Sequence, residues 1–140
     1  MRDLANHLHT TRALSPVAAG TDNTALVSQK LDLLGFEGAM LSINIGANTD
    51  ADATFVVLME DSPDNTTFTA VDDAYLTGTE ILAGFQFDDD NESRKIGYVG
   101  TQRYLRATIT PANNAAGNIF VSAMWILGYP SRQPTTNPPQ

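Results

Sequence analysis

Two histidines near the N-terminus have the residue type and spacing that come closest to a metal site. His7 and His9 lie two positions apart, so on an extended segment both rings face the same side, a geometry that can hold a metal ion. No third ligand lies at a useful spacing. We therefore expect the two rings to contact solvent or a partner, and we predict no metal or other cofactor.

The acidic run Asp88–Glu92 offers carboxylate and amide oxygens, which are the ligands that calcium prefers. It lacks the spaced acidic positions and the central glycine of an EF-hand loop. Calcium binding by this run stays open beside a simpler interpretation, in which its charges keep a loop solvated.

No group of residues has the pattern of a catalytic site. Asp72 and Asp73 are adjacent, with no evident partner that would raise the pKa of one of them. Ser62 and Ser131 lie beside prolines, outside any nucleophile motif. The spacing in Gly97–Gly100 does not match a dinucleotide-binding loop. We therefore expect a protein that is not an enzyme.

The elements that position these residues have the periodicity of β-strands. In 104–110, Leu105, Ala107 and Ile109 alternate with polar residues, which predicts a strand with one buried face. Similar patterns or turn signals predict about seven to nine short strands. The main segments are 21–34, 39–46, 54–60, 66–71, 80–87, 104–110 and 119–127.

This pattern predicts an all-β fold, an antiparallel β-sandwich that is jelly-roll-like. Gly97 and Gly100 suit a bend where the chain passes from one sheet to the other. We assign 1–20 to an extended N-terminal arm, 21–130 to the sandwich domain and 131–140 to a flexible, Pro-rich C-terminal tail.

Composition excludes several classes of partner. The chain has 140 residues, no cysteine, 8 basic and 16 acidic residues and a net charge of −8. The basic residues are scattered, which argues against nucleic-acid binding. No apolar stretch reaches the roughly 18–20 residues of a membrane helix, and no apolar run after Met1 suggests a secretory signal. We therefore predict no nucleic-acid or membrane partner.

Two predicted strands carry large apolar side chains on both faces. In 54–59 and 119–127 both alternating sets contain large apolar residues, whereas a two-layer sandwich buries only one face of each sheet. A second cover is needed, and another copy of the chain can provide it. Trp125, the single tryptophan, is interpreted either as a core side chain or as an interface anchor.

Two arginines flank a tyrosine at the start of one strand. Arg103 and Arg106 lie on either side of Tyr104, and a guanidinium group pairs well with a carboxylate. These arginines either bind acidic residues of a neighbouring chain or are ordinary surface residues.

Several segments together resemble a known family of structural proteins. The most specific is Ile96–Arg106, with its Gly-Tyr-Val-Gly-Thr-Gln-Arg-Tyr sequence. The chain resembles the jelly-roll cement (decoration) proteins of HK97-type capsids of tailed bacteriophages over roughly 24–130. The other segments that carry the resemblance are Lys30–Glu37, Leu41–Ile45, Phe55–Ser62, Phe68–Val71 and Ile126–Pro130.

The resemblance implies a structural virion protein. It would be made in the host bacterial cytoplasm, bind the outer face of the capsid and stabilise contacts between major capsid protein subunits. Its partners would be the major capsid protein and further copies of itself, as a homodimer or homotrimer. The residues expected to bind partners are His7, His9, Arg12, Leu14, Arg103, Tyr104, Arg106, Trp125 and Tyr129.

The alternative is a carbohydrate-binding β-sandwich module of a phage tail or a glycan-active protein. Such a module needs exposed aromatic rings aligned in a groove. Tyr75, Tyr98, Tyr104 and Trp125 are the available residues besides Tyr129. Most of them fall within or beside predicted core strands, which counts against this alternative.

Overall fold

Antiparallel strands make up most of the structure. The computed structural model describes residues 2–19, 22–115, 118–136 and 138. In chain order its elements are β1 (His9–Ala19), β2 (Leu26–Val27), β3 (Leu31–Asp32), β4 (Phe36–Asn48), β5 (Thr54–Ser62), β6 (Thr69–Ala70), a 3₁₀ turn (Asp73–Tyr75), β7 (Leu76–Thr77), α1 (Glu80–Ala83), β8 (Phe85–Gln86), β9 (Ser93–Tyr98), β10 (Tyr104–Ala112) and β11 (Ile119–Pro130).

The strands form two sheets. Sheet A has the order β1-β11-β4-β9-β7, and sheet B has the order β2-β10-β5-β6, with β3 also paired to β10 and β8 to β5. Every pairing is antiparallel. From β5 onward the long strands β5, β9, β10 and β11 alternate between sheet B and sheet A, and β11 lies between β1 and β4 in sheet A, an arrangement typical of a jelly roll. The predicted all-β, jelly-roll-like sandwich is confirmed.

The core lies between the sheets and follows the alternation of the sequence. Leu105, Ala107 and Ile109 of β10 face inward, each at most 2% exposed. The inward set of β11 is also confirmed as buried, and it comprises Ile119, Val121, Ala123, Trp125 and Leu127. Alternate positions of one strand therefore separate the core from the outer surface.

The predicted N-terminal arm, 1–20, is corrected over its second half. His9–Ala19 forms β1, an edge strand of sheet A that pairs with β11. Two register shifts, between Arg12 and Leu14 and between Leu14 and Val17, break the regular pattern, so alternation did not reveal the strand. Met1 and Gly20 lie outside the described residues.

The predicted flexible tail, 131–140, makes contacts with the sandwich where the structure describes it, and its flexibility stays a prediction. The amide of Ser131 donates to the Gly35 carbonyl at 2.8 Å. Thr135 donates from its amide to the Asn6 carbonyl and from Oγ1 to the Leu8 carbonyl, at 3.1 and 2.6 Å. These bonds satisfy backbone groups that a Pro-rich segment cannot pair internally. Asn137, Pro139 and Gln140 lie outside the described residues.

The segment 80–87, predicted as a strand interrupted at Gly84, divides into α1 and β8. Thr79 is the N-cap of α1, and its Oγ1 accepts a hydrogen bond from the Leu82 amide at 3.1 Å. This cap favours a helical turn over an extended chain. None of the helices in the described ranges has the length and apolar character needed to span a membrane.

The predicted bend between Gly97 and Gly100 is where the chain crosses from β9 in sheet A to β10 in sheet B. Tyr98 fixes this crossing, since its hydroxyl donates to Asp61 Oδ2 at 2.8 Å and accepts from the Gln102 amide at 3.0 Å. A Cβ on Gly100 would lie 2.4 Å from the same oxygen, so only glycine leaves room for it. Burial, followed by the bond to Asp61, raises the pKa of the Tyr98 hydroxyl well above its ordinary value, which keeps the proton in place for donation.

We expect Tyr98→Phe to lower the free energy of unfolding by about 1–3 kcal/mol, because it leaves the Asp61 carboxylate and the Gln102 amide without this partner. Urea unfolding followed by circular dichroism measures the change. Tyr75→Phe is the matched control, because Tyr75 is 49% exposed. A loss no larger than that of the control would contradict this role of the hydroxyl.

One side of the sandwich is closed by backbone bonds between the sheets. The Gln29 amide, between β2 and β3, donates to the Ala13 carbonyl of β1 at 2.9 Å. Ser28 adds two bonds to Ala107 of β10, one from its amide at 2.8 Å and one to its Oγ from the Ala107 amide at 2.9 Å. The edge strands of the two sheets are thus joined to each other here.

Candidate functional site

The outer surface of sheet A is an exposed face formed by the long strands β1, β11 and β4 together with β9. We call it the A face and define it by the outward strand positions, which lie in rows across β1, β11, β4 and β9 because opposed residues share a face. The rows are Thr10–Ile126–Met40–Gly97, Arg12–Met124–Ser42–Lys95 and Ser122–Asn44–Ser93, and Phe120, Gly46, Gly38, Gly128 and Thr77 complete the face.

An aromatic residue lies at each end of the A face, next to a glycine. Phe120 is 51% exposed, and its Cβ lies 3.1 Å from where a Cβ on Gly46 would be. At the other end Tyr129 has a φ of 52°, and its ring lies 3.1 Å from the corresponding position on Gly38. Tyr129 is 78% exposed. The two glycines are eight positions apart in β4, which corresponds to about 27 Å.

Charge distinguishes the A face from the rest of the chain. The positions that define the A face include no Asp or Glu, and the exposed Glu37 lies next to Gly38 at the start of β4. Two cations, Arg12 and Lys95, lie in one row on either side of Met124 and Ser42. In a chain of net charge −8, this face has positive charge and no negative charge.

A groove opens in the A face where β1 bulges. Its volume is about 340 Å³, and it lies beside the register shifts of β1, which let that strand diverge from β11. Met124, 45% exposed, contributes an apolar surface to the groove. We call it the bulge groove, and its other lining residues are Thr10, Thr11, Arg12, Leu14, Pro16, Ser42, Asn44, Ser122 and Ala123.

The structure places three predicted partner-binding residues at the A face and one beneath it. Arg12 and Leu14 line the bulge groove, and Tyr129 lies at one end. Trp125 is corrected as a contact residue: it is 0% exposed, and its Nε1 donates to the Gln29 carbonyl at 3.2 Å. Of the two interpretations, core side chain or interface anchor, its inward position in β11 agrees with the core side chain.

The outer surface of sheet B brings together Arg103, Tyr104 and Arg106, but it pairs their charges within the chain. Arg103 donates two hydrogen bonds to Asp32, both at 2.8 Å. Arg106 donates two to Glu60, both also at 2.8 Å. The hypothesis that these arginines pair with a neighbouring chain is corrected, because register places both acids opposite β10.

Aromatic rings support these ion pairs. The Arg106 guanidinium lies 4.5 Å from the centre of the Phe68 ring, and that of Arg103 lies 5.0 Å from the Tyr104 ring. The Arg103 hydrogen bond holds the pKa of the Asp32 carboxyl below its ordinary value. An ion pair as exposed as Arg103–Asp32 contributes little to stability. The arginine charges on this surface are nevertheless paired within the chain.

The two histidines do not act as a pair. His7 lies in a turn, and its Nδ1 is 2.6 Å from the Asp3 carbonyl oxygen, to which it donates. His9 begins β1, and its ring lies 5.4 Å from that of Phe36. The described residues contain no group of three or more His, Asp or Glu side chains placed to hold a metal ion.

The acidic and hydroxyl residues considered for chemistry have structural roles. Asp72 accepts from the Ala74 amide as the N-cap of the 3₁₀ turn, and Ser62 donates to Asp64 at 2.9 Å. In the run Asp88–Glu92, Asp89 and Glu92 form ion pairs with Arg94. Each of these groups is thus bonded to a residue close to it in sequence.

The sequence did not identify the central residues of the A face. Ser42, Lys95 and Met124 come from three strands, and only the register brings them into one row. One sequence feature could have indicated this face. In β11 the outward residues Phe120, Ser122, Met124 and Ile126 alternate with core residues.

A scan of protein-family models finds no match to the chain, and a search of curated proteins finds none either. Among solved structures, the chain is similar to the CBM22-1–GH10 modules of a Clostridium thermocellum endo-1,4-beta-D-xylanase complexed with xylohexaose, at 12% identity and a TM-score of 0.49 over 94% of this chain and 30% of that one. The chain thus spans less than a third of that structure's length.

Two further structures are similar. The CBM22-1 xylan-binding domain from Paenibacillus barcinonensis has 12% identity and a TM-score of 0.44, covering 91% of this chain and 83% of that one. A family two carbohydrate esterase from Cellvibrio japonicus has 14% identity and a TM-score of 0.31, covering 92% and 36%. At these identities the similarity concerns the β-sandwich fold, which the strand pairing of the chain itself establishes.

Proposed function

We propose that the chain is a non-catalytic structural virion protein that binds the outer face of a phage capsid through the A face and links major capsid protein subunits. The observation that supports this most is the A face itself, a rigid sheet surface with Phe120, Met124 and Tyr129 exposed by 51%, 45% and 78% and no acidic side chain. Exposed apolar surface on a rigid scaffold is typical of interaction sites.

The centre of the A face fits a protein partner. Met40, Met124 and Ile126 are apolar and lie beside small residues such as Ser42 and Ser122. Methionine side chains adapt their shape to an apolar partner, and hydroxyls serve as hydrogen-bonding groups between them. Repeated on many copies around a shell, such contacts dissociate slowly because several must break together.

A second apolar patch supports the predicted homodimer or homotrimer, which stays a prediction. Val56 of β5 and Ile81 and Leu82 of α1 are exposed by 62%, 89% and 70%. Val56 lies on the outer side of the segment 54–59, which carries apolar residues on both faces. Contact between copies through this patch would leave the A face free for the shell.

The proposed function is tested by co-sedimentation with shells assembled from the major capsid protein of the same phage. We expect the chain to saturate the shells, and we expect Phe120→Ser/Met124→Ser to lower occupancy by about tenfold or more, since central apolar contacts dominate binding. Val27→Ser/Val99→Ser is the matched control, because both valines are exposed outside the A face and outside the patch around Val56, at 53% and 60%. Absence of binding by the unmodified chain would overturn the proposal.

A second candidate function is carbohydrate binding, and the exposed aromatic residues at the two ends of the A face favour it. Tyr129 and Phe120 are exposed and lie beside Gly38 and Gly46, which are about 27 Å apart along β4. A linear polysaccharide can bridge a spacing of this order by stacking sugars on both rings. Retention of the chain by soluble polysaccharides in affinity electrophoresis, lost in Tyr129→Ala, would support this function. Shell binding without such retention would favour the capsid.

A further inference from the structure

We propose that the A face receives an acidic polypeptide segment of the partner, with one carboxylate in the bulge groove beside Arg12 and a second beside Lys95. This inference rests on the proposed function and specifies its partner surface.

The first support is that both cations lack an ion pair within the described chain. Arg94, Arg103 and Arg106 each pair with an acidic side chain. Arg12 and Lys95 form no such pair with any described residue, and neither do Arg2, Lys30 and Arg132, which lie outside the A face. Two unpaired cations on a face without acids form a surface complementary to negative charge.

The second support is the chemistry of the bulge groove. Next to Arg12 it offers the hydroxyls of Ser42 and Ser122 and the amide of Asn44. Ser93 Oγ lies 3.4 Å from Asn44 Oδ1 and donates to it, which leaves the Asn44 nitrogen as a further donor. An ionised carboxylate only accepts hydrogen bonds, so a groove rich in donors matches it.

The third support is the spacing of the two cations. Arg12 and Lys95 lie at the ends of one row that crosses β1, β11, β4 and β9, which corresponds to about 14 Å at the usual separation of neighbouring strands. Acidic residues four positions apart in an extended polypeptide are about 13–14 Å apart and face the same side. Met124, between the cations, offers an apolar contact to the residues in between, which favours a polypeptide over a polysaccharide.

The test is a titration of the ¹⁵N-labelled full chain with a capped octaglutamate peptide, followed by amide chemical shifts in low and moderate salt. We expect shifts at Arg12, Ser42, Lys95 and Ser122, weaker binding in moderate salt and no shifts with octaglutamine. Arg12→Glu/Lys95→Glu should raise the dissociation constant by about tenfold or more. Arg2→Glu/Arg132→Glu is the matched control, since it changes the net charge equally at arginines outside the A face.

Shifts elsewhere on the chain, equal binding of octaglutamine or unchanged affinity in Arg12→Glu/Lys95→Glu would overturn the inference. So would polygalacturonate binding without peptide binding, which would indicate an acidic polysaccharide, or shifts at these residues that depend on protein concentration alone, which would indicate a second copy. If Arg12→Glu/Lys95→Glu occupies capsid shells normally, this inference fails and the proposed function stands. If the unmodified chain ignores shells, the proposed function fails, and the peptide titration still decides the inference.

Discussion

Trp125→Ala is expected to lower the free energy of unfolding by about 3–5 kcal/mol, the range for removing a large aromatic side chain from a core. Trp125 is fully buried, lies in β11 opposite Leu41 of β4 and bonds the Gln29 carbonyl through Nε1. The substitution therefore leaves a cavity in the core on the inner side of sheet A. It also removes the hydrogen bond to Gln29, which lies between β2 and β3. Urea unfolding followed by circular dichroism measures the loss, since the only tryptophan is removed.

Two variants test whether burial causes this effect. Trp125→Phe keeps most of the volume and loses the hydrogen bond, so we expect a smaller loss than for alanine. Tyr129→Ala removes a ring that is 78% exposed and should change stability by at most about 0.5 kcal/mol. A Trp125→Ala loss as small as that of Tyr129→Ala would mean that the core does not depend on this side chain.

The second large effect is expected for Gly100→Ala, with a loss of about 3 kcal/mol. The added Cβ would lie 2.4 Å from the Tyr98 hydroxyl oxygen and 2.5 Å from its Cζ. Tyr98 is 3% exposed and held by Asp61 and Gln102, so the ring cannot move away without breaking both bonds. Chemical unfolding of the variant gives the loss directly.

A double-mutant cycle with Tyr98→Leu shows whether the ring is the cause. In the leucine background the added methyl group has space, and we expect its effect to fall below about 1 kcal/mol. Gly128→Ala is the matched control, because the nearest atom to its Cβ is Leu8 Cδ2 at 3.6 Å, an ordinary contact. Equal losses in both Tyr98 backgrounds would assign the effect to the backbone instead.

The alternation of apolar residues was sufficient to predict the long regular strands and insufficient to predict the irregular elements. In β10 and β11 every second residue is apolar, and these strands lie where they were predicted. In β1, Pro16 and the register shifts interrupt the period, so the strand was assigned to an arm. In α1 a single capping threonine decided the conformation of four residues, a length too short for a helical period to emerge.

The candidate site was predictable only in part, for a similar reason. Arg12, Leu14 and Tyr129 were expected to bind partners, and they lie at the A face. The acidic residues that pair with Arg103 and Arg106 were not predicted, because Asp32 and Glu60 are 71 and 46 residues away in sequence. Lys95 was missed because its place in a row with Arg12 depends on the pairing of four strands.

The bond between Gln29 and Ala13 has a consequence for aggregation. An unpaired edge strand is a template on which a foreign strand can add by backbone pairing. In β1 the backbone carbonyl of Ala13 is already paired, because it accepts a hydrogen bond from the Gln29 amide. The neighbouring Ser28 is in turn bonded to Ala107 of β10. An incoming strand would first have to displace this segment, so growth of fibrils or domain-swapped chains by strand addition is obstructed on this side of the molecule.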